Sequence, residues 1–390
     1  MEKEESVASR YTPARLVRAT RKAGRLVKRL AYREWCYRRA KPTNILPFLT
    51  YRCSSHCRSC AMWQRHLPGQ ELELSEWKAF FDSLAPRRLR HVEFFGGDVM
   101  LRQEVLFPLI EQAHCLGWDI DIPINGVLLD EAAATRLAAA PIGMIAVSVD
   151  GTGQLHDQVR GVPGNFDRIR AQVGTIVRRR SRRNRPRLTC NCTVSALNID
   201  GFEQVLPFAV EMGFDFVAFE YGGEFPPEVV AQSVIEGSAP QPYFTPQEQS
   251  LLLTREQALQ LKDKLEALKR SPLARRIHLV TSNIDVLTVD ELAQGVVHQK
   301  RCYICHTLIT VDPFGNVLPC PFFDNYHLGN VREQPFSSIW NNTRHRRFRR
   351  LQSQGRFPMC RHCILSVERN SGAWERVAKR LWLQRGKGRR

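Results

Sequence analysis

The chain has 390 residues, 43% hydrophobic and 25% charged, the proportions of a globular protein with room for one large domain and a smaller one. No apolar run approaches the length of a membrane-spanning helix, and Met1–Glu5 opens without the apolar stretch of a signal peptide, so the chain is expected in the cytoplasm. Twelve cysteines in that reducing compartment argue for metal binding or catalysis rather than disulfides, and the net charge of +18 is concentrated: residues 10–41 carry twelve Lys/Arg against one acid, Glu34.

Residues 13–40 read as a basic amphipathic helix. Leu16, Ala19, Ala23, Leu26, Val27 and Leu30 recur at helical spacing, cations fill the rest of the wheel, and Pro42 ends it. Such a helix packs on the outside of a domain, lies on an anionic membrane surface at the inner face, or meets nucleic acid or an acidic partner. From residue 44 short apolar runs alternate with helical ones. Strands are expected at 45–50, 91–95, 119–124, 144–149, 188–194 and 214–220, and helices near 75–84, 103–116, 130–139, 165–179 and 202–212. That alternation predicts an α/β fold with a parallel sheet under covering helices; periodicity alone allows an open sheet as well as a barrel.

Directly after the first strand comes Cys53-x3-Cys57-x2-Cys60. Three thiolates on one short loop can hold three irons of a cubane and leave the fourth open to a ligand. A structural zinc knuckle would need a fourth ligand nearby, and His56, between two of the cysteines, is badly placed to supply it. Gly96-Gly97-Asp98 follows the second strand, where paired glycines permit a close backbone approach. Asn125-Gly126 ends the third strand. Ser148-Val149-Asp150-Gly151 ends the fourth and is followed by His156-Asp157-x2-Arg160-Gly161. The arginine run of 178–187 reads as a solvated loop. Cys190 and Cys192 alternate along a strand, share a face, and read as core. Residues 222–254, rich in Gly, Pro, Gln and Ser, read as a long excursion or lid, and Thr254 caps a helix running to about residue 269.

The C-terminal part holds Cys302-x2-Cys305-x14-Cys320 and Cys360-x2-Cys363. Between Cys305 and Cys320, alternating residues flank a Pro313-Phe314-Gly315-Asn316 turn, a β-hairpin signal that brings the cysteines on either side together. A helix near 337–351 would return the chain to Cys360. Two Cys-x2-Cys pairs also describe a zinc ribbon; the fifth cysteine exceeds its needs. Residues 371–390 repeat the basic amphipathic pattern, with Trp374, Val377, Ala378, Leu381 and Trp382 on one face.

Taken together, these motifs resemble those of radical S-adenosylmethionine (SAM) enzymes that carry an auxiliary-cluster module, called SPASM or, when shortened, twitch. Cys305-x9-Gly315-x4-Cys320, Leu328-Gly329-Asn330-Val331 and Ile339-Trp340 match that module, and the likeness runs over roughly residues 44–365. The resemblance implies a partial (β/α)6 TIM-like barrel at 43–285 and a small hairpin–helix cluster domain at 286–366, flanked by the basic helix of 1–42 and a basic tail at 367–390. It implies a [4Fe–4S] cluster on Cys53, Cys57 and Cys60 that binds SAM. Gly96, Gly97 and Asp98 would meet the amino group, Asn125 the ribose side, and Ser148 and Arg160 the carboxylate. Two departures are visible: Ser59 stands where an aromatic residue is usual, and Asp98 where Glu is usual.

One auxiliary [4Fe–4S] cluster would use Cys320, Cys360 and Cys363, with Cys302 or Cys305 as fourth ligand. Pro321 replaces the Asp that follows the hairpin cysteine in sulfatase-modifying relatives, which disfavours formylglycine formation and leaves Asp324 and Glu220 as acid–base candidates. The implied activity is reductive cleavage of SAM to a 5′-deoxyadenosyl radical that abstracts hydrogen from a peptide or a lipid-linked envelope precursor. Flavodoxin or ferredoxin would be the reductant. The opposed reading is a zinc-containing nucleic-acid-binding protein without catalysis, separable by iron and sulfide content.

Overall fold

Runs of three to eight residues rich in Ile, Val and Phe build the frame. A computed structural model of the chain describes residues 24, 27–28 and 30–365, save 66, 88, 182–184, 246–247 and 298–300. The chain divides into two compact units, residues 1–41 with 371–390, and residues 42–370. In the first unit residues 24, 27–28 and 30–38 are helical, as their periodicity predicts. Arg38 pairs with Glu34 at 3.1 Å, and Arg39 and Lys41 lie over the Trp35 ring at 5.2 and 4.8 Å. The expected helix at 371–390 lies outside the described residues.

The second unit is organised on one sheet. Strands β1 (Asn44–Pro47), β2 (His91–Glu93), β3 (Asp119–Ile124), β4 (Met144–Ser148), β5 (Arg187–Val194), β6 (Phe216–Tyr221) and β7 (His278–Val280) run parallel in sequence order. Helices Leu74–Leu84, Gln103–Cys115, Glu131–Ala139, Asn165–Arg179 and Val205–Glu211 connect successive strands, the βα logic that makes a parallel sheet. The sheet does not close, so the barrel is partial. On the free side of β1 lies β8 (Leu308–Val311), parallel and in register from Asn44 opposite Leu308 to Pro47 opposite Val311. β9 (Asn316–Leu318) and β10 (Gly329–Asn330) then continue the sheet antiparallel. The predicted hairpin is therefore an extension of the barrel sheet.

In β3 the alternation is clean in burial: Ile120, Ile122 and Ile124 are buried, while Asp119, Asp121 and Pro123 are less so. β1 ends three residues before the expected Thr50, because beyond Pro47 only Phe48 makes a bridge, to Phe95. β7 was not expected; three residues give too short a run to show a period. The single helix expected near 337–351 is two, Phe336–Ile339 and Thr343–Ser353. Asn341 breaks it at φ +65°, and the Asn342 side chain caps the second helix by accepting from the His345 N–H at 2.9 Å. The long excursion after β6 is a hydrophobic strap. Phe225, Tyr243 and Phe244 pack on Phe322 with ring centroids 4.9, 5.1 and 5.8 Å away, tying the barrel to the cysteine-rich C-terminal segment.

Candidate functional site

Five loops and strand ends meet at the C-terminal edge of the sheet, the usual place for chemistry in this architecture. They open on a cavity of about 950 Å³ lined by Cys53, Cys57 and Cys60, by Gly96–Asp98, and by Asn125, Ser148 and Arg160. Every residue singled out around the first cysteine loop thus reaches one wall system. Glu220, an acid–base candidate, also lines it. Asp324 does not: it lies in a buried ion pair with Arg65 at 3.0 Å, and burial raises its carboxyl to about 6. Cys190 and Cys192 are fully buried in the core, as their alternation predicts, and neither is on the cavity wall.

The cysteine loop is held from three sides. The Gly97 N–H donates to the Thr50 carbonyl and the Asp98 N–H to the Arg52 carbonyl, both at 2.9 Å. Gly96 has φ +151°, and a Cβ on Gly97 would collide with the Arg52 carbonyl oxygen, with the Arg52 carbon 2.6 Å and the Tyr51 oxygen 2.7 Å away. The close approach that the paired glycines permit is thus to the cysteine loop itself. One oxygen of Asp98 accepts from the Met100 N–H at 2.9 Å, and the other from the Ser54 hydroxyl. Asn125 donates to Ser54 Oγ at 3.0 Å and accepts from the Val127 N–H at 3.0 Å, fixing its amide beside Cys53.

The motif after β4 supplies the third side. Asp150, 2% exposed, binds Arg160 Nε at 2.7 Å and accepts from the Thr193 N–H at 2.8 Å. Arg160 Nη1 then points at Cys57 Sγ, 3.7 Å away. Backbone joins the two segments as well: the His56 and Arg58 N–H groups donate to the carbonyls of Arg160 and Val159 at 3.2 and 3.0 Å. Gly161 turns at φ +64°, where a Cβ would strike the His56 carbonyl. Buried His156 accepts from the Asp150 N–H at 3.2 Å. Asp157 caps helix Asn165–Arg179 from outside, accepting from the Gly164 and Phe166 N–H groups at 2.6 and 2.9 Å. Burial holds His156 neutral, down at about 3, with Arg160 adding to the effect.

The donor set fits an iron–sulfur cluster. Burial pushes the Cys53 thiol up to about 11 and the Cys60 thiol up to about 12, and Cys57 adds to both. Arg160 opposes this, and a cationic metal core would complete the deprotonation that thiolate ligation requires. Ser55 Oγ, buried on the same wall, has no partner among the described residues. Among those residues no three Cys, His, Asp or Glu side chains converge on one ion-sized point. A single zinc needs four donors within about 2.0–2.3 Å of one centre, whereas cubane ligands each bind a separate iron.

The second cysteine set gathers at the open end of the β8–β9 hairpin. Cys305 lies in the short helix Ile304–Thr307 that leads into β8, and Cys320 follows β9. Cys320 lies within electrostatic reach of Cys302, Cys360 and Cys363, Cys360 within reach of Cys302 and Cys363, and Cys305 feels Cys302, Cys320 and Cys360. Two residues that spacing did not reveal sit between the sets. The Tyr243 carbonyl accepts from the Ala61 N–H at 2.9 Å, beside Cys60, and its ring meets Phe322, beside the Cys320 turn. Arg65 stacks over the Tyr51 and Tyr243 rings at 4.7 and 5.6 Å. Both come from irregular segments, where no periodicity marks them.

Comparison with known proteins agrees with this geometry. Residues 48–219 match the family model of the Radical SAM superfamily, and residues 302–364 match that of SPASM, an iron–sulfur cluster-binding domain. The chain is 26% identical over 297 residues to an AdoMet-dependent heme synthase of Methanosarcina barkeri, covering 75% of this chain and 80% of that one. It is 26% identical over 310 residues to a PqqA peptide cyclase of Gluconobacter oxydans, covering 77% and 76%. The fold is similar to that of SuiB from Streptococcus suis bound to S-adenosylmethionine, with a TM-score of 0.58 at 13% identity over 80% of this chain and 68% of that one.

Proposed function

The chain belongs to the radical SAM superfamily and carries a C-terminal SPASM iron–sulfur cluster-binding domain, and on that footing we propose that it is an enzyme generating a substrate radical in the barrel cavity. One observation carries the reading: Cys53, Cys57 and Cys60 line a large cavity on a loop that Gly96–Asp98 and Arg160 clamp in place. In this reading those three cysteines hold the [4Fe–4S] cluster that binds SAM. When bound, that pair supplies a one-electron reductive cleavage giving methionine and a 5′-deoxyadenosyl radical, which takes hydrogen from the substrate.

The chain's own part is to bind, orient and exclude water. Arg160, fixed by Asp150, keeps Nη1 at Cys57 Sγ and offers the rest of its fork to a carboxylate, with Ser148 on the same wall. Asp98 already accepts one bond at each oxygen, so an ammonium group would share a carboxylate that is positioned by Ser54 and Met100. Asn125 would face the ribose side from its fixed turn. Glu220 is one of the ionisable groups on the wall, with His91, Glu93, Asp119 and Asp121, and is the acid–base candidate among them. Cys320, Cys360 and Cys363, with Cys302 or Cys305, would hold one auxiliary cluster. The relatives named above differ in substrate, one named for heme and one for a peptide. Their likeness therefore supports the radical chemistry and leaves peptide and lipid-linked precursors as the substrates to assay.

The test is replacement of Cys53, Cys57 and Cys60 together by Ala. Anaerobically prepared wild type should carry about eight irons, four per cubane, and the variant about four. Dithionite-driven formation of 5′-deoxyadenosine should disappear in the variant. A variant that keeps its full iron or continues to cleave SAM overturns the proposal.

A further inference from the structure

Residues 340–365 hold seven arginines and no Asp or Glu. The fold makes a surface of them. Phe348 and Phe357 pack on Phe323 with centroids 4.9 Å away, which turns the opposite side of helix Thr343–Ser353 to solvent. Arg344, Arg346, Arg347 and Arg350 are exposed there, and Arg356 and Arg361 continue the surface beyond the helix. Arg344 and Arg347 share Glu236 at 3.2 and 3.3 Å. Arg350, Arg356 and Arg361 have no carboxylate partner among the described residues, so their charge is uncompensated.

The position of this surface is what gives it meaning. The same helix is bonded to the second cysteine set at two points. His345 Nε2 lies 2.8 Å from the Cys305 carbonyl oxygen, and the Gln352 side chain hydrogen-bonds the Cys360 thiol. Cys360 and Cys363 lie within the arginine-rich stretch itself. None of the seven arginines lines the barrel cavity, so a substrate bound there does not meet them.

We propose that this arginine surface is the docking face for an acidic one-electron carrier of the flavodoxin or ferredoxin kind. The carrier would give one electron to the cluster held by the 302–363 cysteines, which would hand it on to the cluster of Cys53, Cys57 and Cys60, and the carrier would itself be oxidised by one electron. This rests on the reading that those cysteines hold a cluster. Transient redox complexes bury little area and depend on charge complementarity for orientation and rate, which is what an uncompensated cationic rim over a redox centre provides. Nucleic acid would also be drawn to the charge, but the hydrogen bonds from this helix to Cys305 and Cys360 place it where an electron, rather than a phosphate backbone, has business.

The experiment uses the anaerobically reconstituted full chain and its Arg350→Glu/Arg356→Glu variant, with Arg350→Gln/Arg356→Gln in reserve should the reversal fail to fold. A purified flavodoxin is the probe. Titration followed by flavin fluorescence should show binding weakened about tenfold in the variant at low salt, the two curves converging near 1 M salt, where the Debye length is about 3 Å. SAM cleavage driven by flavodoxin should show a raised KM for the carrier, while dithionite-driven cleavage stays at the wild-type rate. Unchanged flavodoxin binding overturns the proposal. So does a variant that loses retention of an RNA oligonucleotide or of phosphatidylglycerol vesicles while its flavodoxin titration stays put. Loss of the dithionite-driven rate in the wild type would instead count against the radical reading itself, which keeps the two failures apart.

Discussion

Gly97→Ala is the sharpest test of how the cysteine loop is held. An added Cβ has no room, because Arg52 and Tyr51 backbone atoms surround it and none is the end of a flexible side chain. Relief requires parting the 96–98 segment from the 50–52 segment, which breaks the Gly97–Thr50 and Asp98–Arg52 hydrogen bonds. Two buried backbone bonds at about 1 kcal/mol each, plus an overpacking strain of about 1–3 kcal/mol, give a loss of roughly 3–5 kcal/mol. Gly164→Ala is the control. Its φ of +75° strains a side chain, which the backbone of Gly97 does not, but nothing lies within 4 Å, so about 1 kcal/mol is expected from the left-handed backbone alone. Equilibrium unfolding in urea measures both, and iron content after anaerobic reconstitution reports whether the loop still takes its cluster. Gly97→Ala should lose the iron of the first cluster, and Gly164→Ala should keep it. Equal destabilisation of the two variants, or full iron in Gly97→Ala, refutes the clamp.

The same geometry makes three further predictions. Asp150→Asn strands the buried Arg160 guanidinium, which pairs with it at 2.7 Å; a loss of about 3–5 kcal/mol is expected, and Asp150→Asn/Arg160→Gln should cost less than the sum of the single changes in a double-mutant cycle. His156 and His345 are fully buried and held down at about 3, chiefly by burial. The unfolded chain takes up their protons below about pH 6.5 while the folded chain does not, so stability is lost as pH falls. Each should contribute about 2 kcal/mol of loss between pH 7 and pH 5. Urea titrations across that range should show a shallower slope in His156→Gln than in wild type. Asn342→Ala removes the cap of helix Thr343–Ser353 and should cost about 1 kcal/mol by the same titration, with no change in the irons held by Cys53, Cys57 and Cys60.

How much of this could be read beforehand depended on whether a residue's neighbours were local. Cysteine spacing, paired glycines and strand–helix alternation are properties of short windows; they marked the parallel sheet and the residues around its mouth, while the partial barrel came from the family resemblance, since periodicity alone allows an open sheet. The His-Asp-x2-Arg-Gly motif was visible, but its division of labour was not. Asp157 caps a helix, His156 steadies the turn at Asp150, and Arg160 alone turns to the sulfurs. Those tasks depend on which way each side chain points from a seven-residue helix, Gln154–Arg160, too short to show a period. Asp324 looked available because it follows a cysteine closely; its partner Arg65 lies far away in sequence. The break at Asn341 had a local sign, since Asn followed by Asn and Thr favours a cap over a helix interior, but the flanking apolar residues suggested continuity.

The spacing of the two cysteine sets follows from one strand pair. β1 and β8 are parallel and in register. The first set leaves the C-terminal end of β1, while Cys305 lies three residues before β8 and Cys320 follows β9, which runs back beside it. The two sets therefore sit toward opposite ends of the same pair of strands, separated along the sheet by at least four residues of extended chain, about 13 Å at 3.3 Å per residue. The cavity touches both: Cys53, Cys57 and Cys60 line it directly, and Pro321 and Ile364, the neighbours of Cys320 and Cys363, line it too. Tyr243 reaches across the interval. Burial raises its phenol, and the charges of Cys60 and Cys320 both add to that rise. A one-residue slip of β8 against β1 would turn Ile309 and Val311, both fully buried, onto the wrong face. Core packing on that strand therefore fixes the distance between the two sets.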